Sequence, residues 1–160
     1  VRHRDAAAIP SLFKELTFEA PQERAFRVFT AQMGGWWPRE HHIGKSELKD
    51  VVVEPRVDGR WYETCVDGSE CQWGRVLVWE PPRRLVLAWQ LGADWQYDPN
   101  LVTEVELNFL PEGARRTRVT FEHRNLERFG PAAKDLASQM AAGWDGILAS
   151  YGALSAQGAP

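Results

Sequence analysis

From Pro131 to Ala156 the apolar residues Leu136, Met140, Trp144, Ile147, Tyr151 and Leu154 recur at threes and fours, the period of one buried helical face. This segment constrains the fold more than any other, because almost everything before it reads as strand. One long helix cannot cover a flat sheet of many strands. The sheet must curl around it, and a curled sheet over one helix leaves a gap. Gly143, Gly146 and Gly152 interrupt the helix. Each costs about 1 kcal/mol against Ala, so close approach to the sheet or room for a ligand should compensate.

The strands come in series. Leu12 to Ala20 has Leu12, Lys14, Leu16, Phe18 and Ala20 on one parity. Pro21 then suits a helix start and Glu23 its first turn, and Phe26, Phe29 and Met33 give the helix one buried face. Gly34-Gly35 is expected to stop it. After Trp36-Trp37-Pro38 and a polar stretch to Glu47 come Leu48–Glu54, Gly59–Val66, Cys71–Glu80, Arg84–Leu91, Leu101–Leu110 and Arg115–Arg124. Turn signals at Asp67-Gly68, Pro81-Pro82 and Pro111-Glu112-Gly113 make the connections hairpins and the pairing antiparallel. The fold class expected is α+β, a curved seven-stranded antiparallel sheet wrapped around a C-terminal helix with an internal cavity. One domain spans 11–156, between a flexible arm at 1–10 and a tail at 157–160.

With 160 residues the chain can bury a core without disulfides or metals. A net charge of −3 argues against a surface that tracks phosphates, so no nucleic-acid partner is expected. No apolar run reaches the ~18 residues of a membrane span, and the charged N-terminus lacks the apolar core of a secretory signal. Cys65 and Cys71 are the only cysteines. They should face each other across a hairpin as reduced thiols, and a cytoplasmic compartment follows as the default.

Several segments carry a family resemblance. They are Ala20-Pro21-Gln22-Glu23-Arg24-Ala25-Phe26, Trp36-Trp37, Val57-Asp58-Gly59-Arg60-Trp61, Trp73-Gly74-Arg75-Val76, Glu80-Pro81-Pro82-Arg83-Arg84-Leu85, Thr103-Glu104-Val105 and Gly143-Trp144-Asp145-Gly146-Ile147-Leu148. In order and spacing the chain resembles the activator of Hsp90 ATPase homologue-like family, within the Bet v 1-like (START-like, SRPBCC) superfamily. The resemblance covers Ser11 to Leu154; Asp58 stands where members commonly carry the first of two glycines. It implies a helix-grip fold with a pocket between sheet and helix. Relatives include lipid and hormone carriers, polyketide cyclases and chaperone regulators, so fold alone does not choose a function.

Eight tryptophans are many for this length and must fill a core or line a cavity. Trp36, Trp37, Trp61, Trp73, Trp89, Trp95 and Trp144 are the candidates for the ligand wall. Parity adds three polar residues: Glu63 with Trp61 and Cys65, Arg75 with Trp73, and His123 with Phe121. An inward charge needs a partner, so Glu63 and Arg75 are expected to pair on the concave face, or else to stand at the sheet edge in water. The loop Gly92 to Asn100 is expected to flank the pocket mouth and move. His41-His42 lacks a Cys or carboxylate cluster at metal-ligand spacing, so neither metal nor cofactor is expected. The first reading is a binding protein for a small apolar or aromatic molecule, as carrier, sensor or sequestering module. The second is a cyclase or hydrolase using Glu63, Arg75 or His123. The third is a module that contacts a chaperone.

Overall fold

The computed structural model describes residues 9–157. Most of the expected N-terminal arm and C-terminal tail lies outside the described residues. Seven strands form one antiparallel sheet: β1 (Leu12–Phe18), β2 (Leu48–Val53), β3 (Arg60–Cys65), β4 (Glu70–Glu80), β5 (Arg84–Trp89), β6 (Thr103–Pro111) and β7 (Thr117–Arg124). Their spatial order is β1-β7-β6-β5-β4-β3-β2. Hairpins join β2 through β7 in sequence, and β1 adds to β7 with Leu12 opposite His123 and Phe18 opposite Thr117.

Gln22–Thr30 forms α1, Met33–Trp36 a single turn α2, and Ala133–Ala156 the long helix α3, entered through a 3-10 segment at Leu126–Ala132. Gly34-Gly35 therefore does not stop the first helix. That helix ends at Thr30, the chain kinks at Gln32 (φ −113°, ψ 24°), and both glycines lie inside the second turn.

The inner face of the sheet carries Val105, Leu107 and Phe109 on β6 and Val119 and Phe121 on β7, all buried; Phe109 packs on Phe26 and Phe29 of α1, and Phe121 on Trp144 of α3. The two halves of α3 meet different partners. Its C-terminal half packs on α1: Tyr151 lies 5.0 Å from Phe29 and 5.5 Å from Phe18, and its hydroxyl donates to the Ala25 carbonyl at 2.6 Å. Arg24 of α1 donates to the Leu154, Ser155 and Gln157 carbonyls, satisfying the open end of the helix. Gly152 lets this half of α3 also lie close on β1, since a β-carbon there would lie 3.1 Å from Leu16. The short α1 does not reach the N-terminal half of α3. There the sheet and helix stand apart, and Gly143 has open space where a side chain would begin.

Candidate functional site

The gap over the N-terminal half of α3 is a cavity of about 400 Å3. Trp37, Trp73, Trp89, Trp95 and Trp144 wall it, with Leu91, Met140, Ile147 and Gly143, and its polar edge is Glu40, His41, His42 and Gln139. The rings touch one another: Trp37 to Trp73 at 4.9 Å, Trp37 to Trp144 at 6.0 Å, Trp89 to Trp144 at 5.7 Å and Trp89 to Trp95 at 6.2 Å, mostly edge to face. A second, shallower hollow of about 530 Å3 lies between α1 and the Pro81-Pro82 turn. Its charged residues Glu23 and Arg27 are exposed.

The indole N–H groups of four wall residues are spent on the protein. Trp37 donates to the His41 carbonyl (2.6 Å), Trp73 to Glu63 Oε1 (2.9 Å), Trp89 to the Leu91 carbonyl (3.2 Å) and Trp144 to His123 Nδ1 (3.2 Å). These bonds fix the rings and leave apolar π-faces for the cavity.

His123 is fully buried behind Trp89 and Trp144. Trp144 donates to Nδ1, so Nε2 carries the proton of the neutral ring and donates to Thr103 Oγ1 at 2.8 Å. The Thr103 hydroxyl donates onward to the Trp89 carbonyl at 3.4 Å. Burial pushes the imidazole pKa down to about 3, since a dry interior disfavours the charged form. His123 therefore points inward as its parity implied, but it braces the wall and does not line the cavity.

Glu63 is also fully buried, and its partners differ from the expected one. Oε1 accepts from Ile43 N (2.8 Å) and Trp73 Nε1 (2.9 Å), and Oε2 from Gly44 N (3.0 Å) and Cys65 Sγ (3.3 Å). His42 Nδ1 stands 3.5 Å from Oε2. The loop before β2 folds down over the carboxylate and caps it. Gly44 makes this possible: a β-carbon there would lie 2.8 Å from Oε2 and 2.5 Å from Cys65 Sγ.

Arg75 does not reach Glu63. It points outward, bonding Gln90 Oε1 at 3.1 Å and approaching Asp58 at 4.0 Å, with its side chain 38% exposed. The cause is a bulge. Tyr62 pairs with Gln72 but Trp61 pairs with Gly74, so Trp73 is an extra residue on β4. One extra residue reverses every later side chain. A second shift between Val76 and Val78 restores the phase, and Trp79 again packs inward on Phe26 at 5.2 Å.

Of the remaining candidates, Trp36 and Trp61 are core residues outside the cavity lining. Trp36 donates to the Val28 carbonyl, and Trp61 to Met33 Sδ at 3.2 Å. Trp95 is partly exposed (42%) at the cavity edge with φ +60°, so the loop Gly92 to Asn100 does flank the mouth. The cysteines do not face each other directly: Cys71 is in register with Glu63, while Cys65 bonds back to Ser69. Both are free thiols, and burial, with Glu63 nearby, raises both pKa values. Nothing in the sequence marks Glu40, His42 or Gln139 as a ligand contact. His41-His42 reads there only as a weak metal motif; the inward parity of Glu63 is the signal that something must come to meet it. Among the described residues, no three His, Cys, Asp or Glu side chains gather as a metal site would require, and no helix is long and apolar enough to cross a membrane.

The family model described as Activator of Hsp90 ATPase homolog 1-like protein matches residues 19–154. Among solved structures, the chain is similar to Txn09, an anthrahydroquino-gamma-pyrone synthase complexed with SUM. They share 36% identity over 91% of this chain and 97% of that one, with a TM-score of 0.66. It is similar to CalC, a self-sacrificing resistance protein from Micromonospora echinospora, at 29% identity over 91% and 94% of the two chains and a TM-score of 0.67. CalU16 from the same organism shares the fold at 22% identity over 94% and 76%, with a TM-score of 0.60. No curated protein sequence matches the chain.

Proposed function

The chain belongs to the Activator of Hsp90 ATPase homolog 1-like family, and we propose that it uses the family fold to bind a flat aromatic molecule of fused rings between the sheet and α3. The observation that carries this reading is the wall of five indoles around about 400 Å3. Four of them have no N–H left to offer, so the surface suits π-faces better than polar groups. Similarity to a synthase of a fused pyrone supports the same ligand class. A second reading, an enzyme of cyclase type working in this cavity, is favoured by that 36% identity and requires turnover as well as binding. Chaperone contact would use the outer surface, and the family description alone speaks for it.

The test is titration with 2-hydroxyanthraquinone, followed by quenching of Trp emission and by native mass spectrometry. A one-to-one complex with quenching is expected. Gly143→Leu should fill the cavity and abolish quenching while keeping or raising Tm, because the helix gains about 0.5–1 kcal/mol of propensity. Unchanged binding in that variant would place the ligand elsewhere.

A further inference from the structure

We propose that His42 and Glu63 form an acid–base pair that takes a proton from an acidic hydroxyl, a phenol or enol, of the aromatic molecule in the cavity. This rests on the cavity reading above and adds to it the chemistry of the ligand. Glu63 is fully buried, and four donors converge on its two oxygens, the arrangement that suits an acceptor-only carboxylate. No arginine or lysine forms an ion pair with it among the described residues; the one basic group at that distance is His42.

The imidazole is placed between two environments. Nδ1 is buried, 3.5 Å from Glu63 Oε2, and makes no hydrogen bond with the protein as it stands. His42 is also one of the residues that line the cavity. A carboxylate beside Nδ1 holds the neutral ring as the Nδ1–H tautomer, which leaves the Nε2 lone pair on the edge remote from Glu63 as the base. The 3.5 Å separation is an ion-pair distance that needs only a small closure to become a hydrogen bond, as is usual before a ligand binds. The remaining titratable neighbours are Cys65 and Cys71 beside Glu63 and Glu40 and His41 on the same loop, while α3 brings only uncharged residues to the cavity.

In the step, the ligand O–H bond breaks, its proton moves to His42 Nε2, and the electron pair stays on oxygen as phenolate or enolate. The imidazolium then bears two N–H groups, one toward Glu63 and one toward the new anion. His42 touches the ligand and is the catalytic residue; Glu63 acts through it and is the positioning residue.

Two measurements decide this. In nitrogen-15 spectra of the wild-type protein at pH 8, neutral His42 should be the Nδ1–H tautomer, whereas free imidazole side chains in water favour Nε2–H. A His42 found as Nε2–H overturns the pair without any variant. With 2-hydroxyanthraquinone at saturation, at a pH where the free probe is the neutral phenol, the visible band should move to the phenolate position. In His42→Gln, saturated separately, the phenolate fraction should fall at least tenfold. A phenol band in the wild type, or a phenolate band that survives His42→Gln, overturns the proposal. If the probe does not quench Trp emission at all, the cavity reading fails instead, and the tautomer alone decides the pair.

Discussion

The two faces of the sheet stabilise their carboxylates by different means. On the concave side Glu63 is dry and is held by two backbone N–H groups, an indole and a thiol. On the convex side Glu106 meets Arg84 at 2.8 Å and Arg124 at 2.7 Å, within a network that also takes in Glu104 and Glu122. The arginines hold Glu106 down to a pKa of about 2, the bond from Arg84 contributing most. The outer network repeats what a wet, charged surface can assemble from long side chains. The inner site needs a loop placed over it, because guanidinium groups are expensive to bury and short neutral donors are not. A polar group inside the sheet is therefore coupled to the shape of the cavity, and one outside is not.

That contrast can be broken most forcefully at His123. Its folded pKa lies near 3 against an ordinary 6.5, so below pH 6.5 the unfolded chain binds the extra proton. The stability it contributes is complete above 6.5 and is lost as pH falls toward 3, on the order of 4–5 kcal/mol across that window. Ring resonances that stay neutral at pH 5 are the expected sign; protonation already complete at pH 5 would mean that the interior is wet. Next in size, Glu63→Gln keeps one oxygen but confronts donors with an amide. It should lower stability by about 2–3 kcal/mol in urea unfolding and loosen the loop at Ile43 and Gly44 in hydrogen exchange.

On the convex side the effects should shrink. Glu106→Gln should cost about 1 kcal/mol. In the wild type, the stability due to this depressed carboxyl is present above pH 4.5 and lost as pH falls toward 2, and the variant should lack that decline. Thermal melts between pH 5 and pH 2.5 separate the two, and added salt should narrow the difference. Smallest of all, Arg75→Leu should change stability by under about 1 kcal/mol, since the side chain is partly exposed and loses a single hydrogen bond, to the buried Gln90. A large loss there would mean that the bulge at Trp73 is absent and that Arg75 turns inward after all.

What the sequence by itself determined is what depends on local spacing. The strand and helix periods, the turn residues and the change of period at Pro131 are read within a few neighbours. They yield seven strands, a long helix and the inward parity of Trp61, Glu63, Phe121 and His123. Tertiary structure decided the partners. The extra residue at Trp73 exists only as a mismatch between two strands, and nothing in the local spacing of β4 records it, so the phase of Arg75 could not be extrapolated from Trp73. Likewise the polar stretch between Trp37 and Leu48 has no period to read. Its descent onto Glu63 is set by the room at Gly44 and by the demand of a buried carboxylate for donors, which arises only once the sheet has closed over it.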